Sequence, residues 1–300
     1  MDNYLDVNGK KYVYKSNYKD DSILRNSFNL LTEKTYGFNF EKWYKEGYWN
    51  SKYIPYSLLD DKKVVANVSV NIMDVLIQGD RKRYIQIGTV MTDEDYRGNG
   101  LSKALMEKVI EEWENKCDCI YLYANDSVIN FYLKFGFDKH NEYQYSINKV
   151  KDQSLEKVRQ LNIEEASDKE IFIKIVNNRV SISQLHVENN ISLIMFYCMD
   201  FMKDNIYYIE DYNVIAICEY DEAVLYIQDV FAMKEVDLDK AINALMIDET
   251  KKVVLGFTPS NTSYYEEGLV NEEDTTFFVR GKKEIPFRTE KLMFPILSHA

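Results

Sequence analysis

The chain has 300 residues, which is ample for two hydrophobic cores, and 46% of them are hydrophobic and 14% aromatic, as in globular proteins. No apolar run reaches the roughly 18 residues of a membrane span, and the first residues lack the form of a signal peptide. The four cysteines have the spacing of neither a disulfide framework nor a zinc site. We therefore expect a cytoplasmic protein that does not bind membranes, holds no metal and keeps its cysteines reduced.

The net charge of −12 is unevenly distributed along the chain. Residues 1–150 hold 21 Lys and Arg against 22 Asp and Glu, whereas residues 151–300 hold 16 against 27. A nearly neutral first half suits a polyanionic ligand, and the acidic second half argues against nucleic acid as a partner. That acidity would suit a cationic amine, but it would also serve as a solvated surface that maintains solubility.

The first predicted element is a helix. Ser22 is its predicted cap, Leu24, Phe28 and Leu31 form its apolar face, and it ends at Gly37. Residues 38–56 follow and are rich in aromatic side chains, which could roof a binding pocket or simply belong to the core. The members of this cluster are Trp43, Tyr44, Tyr48, Trp49 and Tyr53.

Two predicted strands and a second helix come next. Residues 64–70 alternate between apolar and polar, and they lead through 71–78 to a turn at Gly79. Residues 83–92 are apolar and rich in strand formers, and they end at an acidic run. Apolar residues at helical spacing then predict a helix that begins at or just after Gly100: Leu101, Leu105, Val109 and Trp113.

The junction between this strand and this helix predicts a pyrophosphate site. Gly98 and Gly100 let the backbone approach a ligand closely, the helix N-terminus supplies a partial positive charge, and Arg97 supplies a full one. The junction is not a dinucleotide fingerprint, because Lys103 replaces the third glycine, and it lacks the Gly-Lys-Ser/Thr ending of a P-loop. Taken alone, two glycines are also compatible with a simple turn.

A second apolar strand at 120–124 is followed by N-D-S-V-I-N-F-Y-L-K-F-G-F at 125–137. Together with V-M-T-D-E-D-Y-R-G-N-G-L-S at 90–102, this arrangement resembles the GNAT superfamily of acetyl-CoA-dependent N-acyltransferases, over roughly residues 20–148. One position departs from the family pattern. Asp95 stands where the family often has Gln or Arg, so Arg97 and the backbone would carry more of the phosphate binding.

The resemblance implies a role for each residue of the motif. The backbone of Val90, Met91 and Thr92 would hold the pantetheine and acetyl group of acetyl-CoA, Asn125 would contact the pantetheine, and Tyr132 would be the general acid. The pyrophosphate arm would consist of Arg97, Gly98, Asn99, Gly100, Leu101 and Ser102. A buried helix tyrosine with no chemical role is the competing interpretation of Tyr132, since the chain contains 24 tyrosines.

The implied activity is transfer of an acetyl group to a primary amine of a small molecule, directly within a ternary complex. Such a reaction needs a neutral amine, a polarised thioester carbonyl and a proton for the leaving thiolate. The alternative is a GNAT fold that senses acyl-CoA without catalysis or serves as a protein-interaction scaffold.

The general base is not evident from the sequence. Strict alternation would place Tyr84, Gln86, Gly88, Val90 and Thr92 on one face, and none of them is a base at pH 7. The carboxylates nearest these strands are Asp74 and Asp93, although charged residues at such positions are usually only solvated. The histidines show no shared spacing: His140, His186 and His299.

The second half of the chain repeats features of the first. Tyr-Ile-Gln at 84–86 recurs at 226–228, and Tyr132 with Gly136 recurs as Tyr264 with Gly268. Residues 234–240 contain no Arg-Gly-x-Gly arm, so the second unit would have lost the cofactor site, although a short repeat can also arise by chance.

We therefore predict an α/β protein with α+β mixed sheets, a tandem GNAT acyl-CoA N-acyltransferase fold. The predicted limits are a catalytic domain at 1–148, a connector at 149–168 and a degenerate GNAT-like domain without a phosphate arm at 169–300.

Overall fold

The computed structural model describes residues 3–153, 156–281 and 286–299, which form two mixed β-sheets with helices packed against them. In chain order the strands are β1 (Asn3–Val7), β2 (Lys10–Ser16), β3 (Tyr53–Asp60), β4 (Lys63–Ile77), β5 (Asp80–Thr92), β6 (Cys119–Ala124), β7 (Asp138–Lys139), β8 (Tyr143–Asn148), β9 (Val158–Gln160), β10 (Leu185–Glu188), β11 (Ile206–Ile209), β12 (Val214–Asp221), β13 (Val224–Ala232), β14 (Lys252–Leu255), β15 (Glu266–Leu269) and β16 (Thr276–Arg280).

The helices lie between these strands. They are α1 (Ser22–Tyr36), α2 (Glu41–Lys45), α3 (Leu101–Trp113), α4 (Ile129–Leu133), α5 (Ala166–Asn177), α6 (Ile191–Cys198) and α7 (Leu238–Leu245). Short 3-10 turns occupy Glu94–Tyr96, Asp126–Val128, Pro286–Arg288 and Ile296–Ser298. Over the described ranges, no helix has the length and apolar character needed to cross a bilayer.

Each sheet contains a parallel pair among antiparallel neighbours, which confirms the predicted mixed α/β class. The first sheet has the order β1-β2-β3-β4-β5-β6-β16-β7, and β10 also pairs with β4. The second has the order β15-β8-β14-β13-β12-β11-β9. The parallel pairs are β5 with β6 and β13 with β14, and the helix between each pair, α3 or α7, makes the crossover that parallel pairing requires.

The two sheets exchange strands, so sheet membership does not divide at the predicted limits of residues 148 and 169. Strand β8 leaves the first half to pair with β14 and β15 in the second sheet. In return, β16 inserts between β6 and β7 of the first sheet, with Phe278 opposite Leu122. Strand pairing between residues more than 100 apart has no local sequence signal, because it depends on long-range contacts.

Helix α1 has the predicted extent but a different cap. The Asp21 carboxylate accepts hydrogen bonds from the N–H groups of Ile23 and Leu24, at 3.0 and 3.1 Å, and Ser22 is the first helical residue. Gly37 ends the helix in the left-handed conformation, with φ of 80°. The prediction of Ser22 as the cap was therefore one residue late.

A β-bulge in β5 makes the predicted strict alternation wrong. Gly88 lies opposite Ser69 and Met91 lies opposite Asn67, so two residues of β5 face one of β4. Thr89 adopts a positive φ of 49°, and its carbonyl oxygen accepts a hydrogen bond from the Asn67 side chain at 2.9 Å. Because of the extra residue, Met91 rather than Val90 continues the face of Gly88.

The second sheet shares two features with the first: a bulge in β13, where Gln228 is the extra residue opposite β12, and a parallel β13–β14 pair. The match of Tyr264 to Tyr132 does not hold in space. Tyr264 is 74% exposed in a turn before β15, whereas Tyr132 lies in α4 and is 5% exposed. Two residues at a shared spacing carry too little periodicity to define an element.

Candidate active site

A cleft opens where two parallel strands diverge. The β5–β6 pairing ends at Ile87 opposite Leu122, after which β5 stays with β4 and β6 stays with β16. The resulting cleft has a volume of about 1060 Å³. Helix α3 packs on one face of the sheet beside it, and the aromatic cluster and α6 pack on the other. The cleft is therefore lined from both faces of the sheet, by Gly100 and Leu101 on one and by Phe40 and Phe196 on the other.

The cleft brings together nearly all the residues that the sequence singled out. Those lining it are Val90, Met91, Thr92, Arg97, Gly98, Gly100, Leu101, Ser102, Asn125 and Tyr132. Asn99 is the exception. Its side-chain nitrogen donates to the carbonyl of Tyr96 at 3.0 Å, and its own carbonyl accepts from the Asn8 side chain at 2.9 Å. Asn99 therefore braces the arm from outside.

The arm presents unpaired backbone donors. Gly98 and Gly100 have φ of 79° and 82°, a left-handed conformation that other residues rarely adopt. Gly100 caps α3 without a side-chain hydrogen bond, and within the described ranges the N–H groups of residues 98–103 donate to no protein acceptor. Free N–H groups at the positive end of a helix dipole suit an anion.

Positive charge accompanies the arm. Arg97, 62% exposed, donates from Nε to the carbonyl of Thr92 at 3.3 Å, and Lys103 on the first turn of α3 also lines the cleft. The Thr92 and Ser102 hydroxyls share a hydrogen bond of 2.5 Å that ties the strand end to the helix. In the sequence Lys103 is notable only as the residue that replaces the third glycine of a dinucleotide fingerprint, and nothing there indicates that it lines the cleft.

Two of the predicted cofactor contacts already have partners in the protein. The Tyr36 hydroxyl donates to the carbonyl of Val90 at 2.9 Å. The Asn125 amide donates to the Asp274 carboxylate at 2.8 Å, across 149 residues of sequence. Asp274 also accepts from the backbone N–H of Asp126 at 2.7 Å. Neither Tyr36 nor Asp274 carries a motif that would have identified it.

Tyr132 lies in the wall of the cleft, with its ring packed among aromatic side chains. Its ring centroid is 5.2 Å from that of Phe131 and 6.1 Å from that of Phe278 on the inserted strand β16. Burial, with a smaller contribution from Tyr36, raises the pKa of the Tyr132 hydroxyl above its usual value. The hydroxyl is therefore neutral at physiological pH and is present as a hydrogen-bond donor.

The opposite wall is aromatic. Four residues of the sequence-predicted segment line it, Phe38, Phe40, Trp43 and Tyr53, and α6 of the second half adds Leu193 and Phe196. Phe196 stacks on Phe40 with ring centroids 5.3 Å apart. Trp49 is 2% exposed and belongs to the core, so the cluster both roofs the cleft and packs the interior. Helix α6 is apolar almost throughout, with Ser192 as an exception, which indicates a buried helix but does not reveal what it contacts.

Neither candidate base lines the cleft. Asp74 forms salt bridges to Lys52 at 3.1 Å and to Arg83 at 3.3 Å. Asp93 pairs with Lys63 at 2.9 Å. Burial would raise the pKa of the Asp93 carboxyl, but the Lys63 hydrogen bond and backbone N–H of Asp95 leave that pKa below its usual value. Both carboxylates therefore serve ion pairs.

A buried carboxyl lies behind the cleft. Tyr123, at the end of β6, lines the cleft, and its hydroxyl donates to Glu142 at 3.1 Å. Glu142 is 6% exposed and also accepts from the backbone N–H of Phe294 at 2.8 Å. Burial raises the pKa of Glu142 to about 8, so it carries a proton at pH 7 for most of the time. A lone acid in a polar stretch gave no signal of this burial.

The equivalent region of the second sheet is closed. Segment 180–184 spans the gap beyond β13 and β14, where the Val180 N–H donates to Ala232 at 2.8 Å and the Gln184 N–H donates to Thr258 at 3.0 Å. Asp237 caps α7 with its own carboxylate, which accepts from the Asp239 N–H at 3.1 Å. A filled gap and an acidic helix N-terminus do not suit a polyphosphate.

The chain is similar to known acetyltransferases, in sequence over part of its length and in fold over most of it. The model of the acetyltransferase (GNAT) family matches residues 24–137. A probable N-acyltransferase from Enterococcus faecalis V583 aligns at 15% identity with a TM-score of 0.60, covering 91% of this chain and 73% of its own. A GCN5-related N-acetyltransferase from Kribbella flavida aligns at 16% identity with a TM-score of 0.53, covering 90% and 71%. Eis1 from Mycobacterium abscessus aligns at 12% identity with a TM-score of 0.51, covering 88% and 73%.

At these identities the solved structures show the fold alone. Because they align with both sheets, they fit the predicted tandem arrangement. The family match covers the bulged strand, the arm and Tyr132. Residues 24–137 therefore form an acetyltransferase domain of the GNAT family.

Proposed function

We propose that the protein is an N-acetyltransferase that moves an acetyl group from acetyl-CoA to a primary amine of a small molecule within a ternary complex. The observation that carries the proposal is the single cleft that joins an uncapped helix N-terminus on one side of the sheet to an aromatic pocket on the other. Two substrates entering from opposite faces would meet beside the bulge at Thr89.

The cleft fits the cosubstrate on chemical grounds. Its charged lining residues in the described chain are Arg97 and Lys103, both cationic, and the arm offers free N–H groups for the pyrophosphate. The diverging edges of β5 and β6 leave backbone groups to pair with the pantetheine amides. Thr92 and Ser102 hold these two regions together through their 2.5 Å hydrogen bond.

When bound, acetyl-CoA supplies an activated acyl group as a thioester. In the overall reaction the amine nitrogen forms a bond to the carbonyl carbon, the carbon–sulfur bond breaks, and one amine proton ends on the thiol. Tyr132 is the proposed donor toward sulfur, because its neutral hydroxyl lies in the wall of the same cleft. Its raised pKa keeps the hydroxyl protonated, so it can donate a hydrogen bond to the developing thiolate, with proton transfer coupled to proton loss from nitrogen.

The experiment is an assay of free thiol release from acetyl-CoA in the presence of a panel of primary amines. An acetyltransferase releases one thiol per acetylated amine. A sensor or scaffold on the same fold would bind acetyl-CoA and release none, so binding by calorimetry with no thiol release from any amine would refute the proposal.

A further inference from the structure

The acceptor side of the cleft is built from apolar surface. Phe38, Phe40 and Trp43 line it from one side, and Leu193 and Phe196 line it from helix α6. The apolar surface continues outward to the rim. Phe201, 52% exposed, has its ring 5.6 Å from that of Phe38 and 5.5 Å from that of Phe196. Such a wall stabilises an apolar body by removing it from water.

The polar side chains on this wall are mostly used by the protein itself. The hydroxyls of Tyr53 and Thr89 share a hydrogen bond of 2.9 Å, and the Tyr36 hydroxyl donates to Val90 at 2.9 Å. The Thr35 hydroxyl donates to the carbonyl one helical turn earlier at 2.8 Å. These bonds hold the wall in place and use most of its hydroxyl protons, so the wall offers a ligand few side-chain donors.

Asn71 differs from these side chains. It lies on β4 beside the bulge, lines the cleft and is 5% exposed, and its side-chain nitrogen has no partner in the described residues. An unpaired buried amide costs about 1–3 kcal/mol, so a hydrogen-bond acceptor or water is expected to meet it. Asn71 is thus a free polar group within an apolar wall.

The described lining of the cleft offers no carboxylate to a second positive charge, only the weaker attraction of aromatic faces. Among its lining residues in the described chain there is no Asp or Glu, and the two charged ones are cations. Placing an ammonium ion against apolar side chains without a counterion costs several kcal/mol. The same surroundings lower the pKa of the reacting amine and so favour its neutral, nucleophilic form.

Building on the acetyl transfer proposed above, we infer that the acceptor is a primary amine with an aromatic or aliphatic body and no second positive charge. Its amine reaches the bulge, its body packs against Phe196 and the aromatic segment, and Asn71 is its one polar anchor. The acidity of the second half then serves solubility rather than attraction of a polycation.

A matched pair of acceptors tests this assignment: hexylamine and 1,6-diaminohexane. They present the same reactive amine on the same six-carbon chain and differ by a terminal ammonium in place of a hydrogen. We expect kcat/KM for hexylamine to exceed that of the diamine by at least about tenfold, and 2-phenylethylamine to equal or exceed hexylamine. Spermidine and kanamycin should be poor acceptors.

Asn71→Asp supplies the matched variant, because it changes one atom type and adds a carboxylate to the wall. It should raise the ratio of kcat/KM for 1,6-diaminohexane to that for hexylamine by at least about tenfold. Phe196→Leu keeps an apolar side chain but removes the ring, and it should lower kcat/KM for 2-phenylethylamine more than for hexylamine. Neither change should alter the Kd of acetyl-CoA, which binds on the other face.

The outcomes separate the two proposals. If thiol is released with the diamine or spermidine as efficiently as with hexylamine, the acceptor assignment is overturned while acetyl transfer stands. If acetyl-CoA binds but no amine on the panel releases thiol, acetyl transfer fails and the acceptor assignment fails with it. An Asn71→Asp variant whose ratio is unchanged, with acetyl-CoA binding intact, removes Asn71 from the acceptor pocket.

Discussion

Glu142 should make the stability of the protein fall as pH rises, and Glu142→Gln should remove that dependence. The carboxyl is 6% exposed, and burial raises its pKa from 4.5 to about 8, against the opposing hydrogen bonds from Phe294 and Tyr123. Between pH 4.5 and pH 8 the unfolded chain has lost this proton while the folded chain keeps it. The folded state binds more protons in that window, so its free energy of unfolding decreases with pH.

The magnitude follows from the two pKa values. The slope approaches about 1.4 kcal/mol per pH unit inside the window and flattens near its ends. Between pH 5 and pH 8 the loss amounts to about 3.5 kcal/mol. A glutamine has nearly the shape of the protonated carboxyl, and its oxygen can accept the same two hydrogen bonds. We therefore expect Glu142→Gln to be more stable than the parent by less than about 1 kcal/mol at pH 5 and by about 4 kcal/mol at pH 8.

Urea unfolding of both proteins at pH 5, 6, 7 and 8 measures this difference. Comparing the two proteins at each pH cancels every other titrating group that they share. The control is Glu107→Gln, which removes an exposed carboxylate paired to Lys103 at 3.8 Å, and its curve should stay parallel to that of the parent. A Glu142→Gln difference that is constant from pH 5 to pH 8 would show that Glu142 is ionised in the folded protein.

Three further predictions concern the cleft. Tyr132→Phe should lower kcat by at least about 10² with little change in the Kd of acetyl-CoA. The control Tyr264→Phe, at a residue that is 74% exposed, should change neither quantity. A Tyr132→Phe variant that keeps about a third of parental kcat in a chemistry-limited assay would show that the hydroxyl takes no part in the reaction. Gly100→Ala should still fold, because a Cβ there would lie 3.5 Å from Asn8, but the φ of 82° costs about 1–2 kcal/mol with a side chain. Calorimetry should then show acetyl-CoA binding weakened at least about tenfold, and an unchanged Kd would contradict the role of the arm. Titration of the parent should give one acetyl-CoA per chain. Two equivalent sites would contradict the conclusion that segment 180–184 closes the gap beyond β13 and β14.

The arm was predictable because its physics is local. Gly98 and Gly100 stand between an apolar strand and an amphipathic helix, and a left-handed turn before a helix N-terminus needs no distant partner. The structure placed α3 from Leu101, directly after Gly100, as predicted. The bulge was not predictable in the same way. It depends on Asn67, 22 residues away in sequence, whose side chain holds the carbonyl of Thr89.

The acceptor wall was only half predictable for a related reason. The many aromatic residues in 38–56 indicated that the segment either roofs a binding pocket or belongs to the core. In the structure some of these residues line the cleft and others pack in the core. Helix α6 could not be placed, since an almost entirely apolar helix packs equally well against many surfaces. Phe196 meets Phe40 across more than 150 residues, and no periodicity within α6 indicates that contact.

The first half is not a self-sufficient unit, and the reason lies in its sheet. The face of this sheet that carries Met73, Tyr84 and Tyr121 is buried against Leu193 and Phe294 of the second half. Strand β16 pairs with β6 along five residues and supplies Phe278 to the core around Tyr132. Without the second half, β6 would lose its partner at the point where the cleft opens, and the apolar face would meet water. Segment 180–184 fills the gap beyond β13 and β14 in the second half. The second half nevertheless forms one wall of the cleft in the first sheet, through α6, and holds β6, which borders the other wall, through β16.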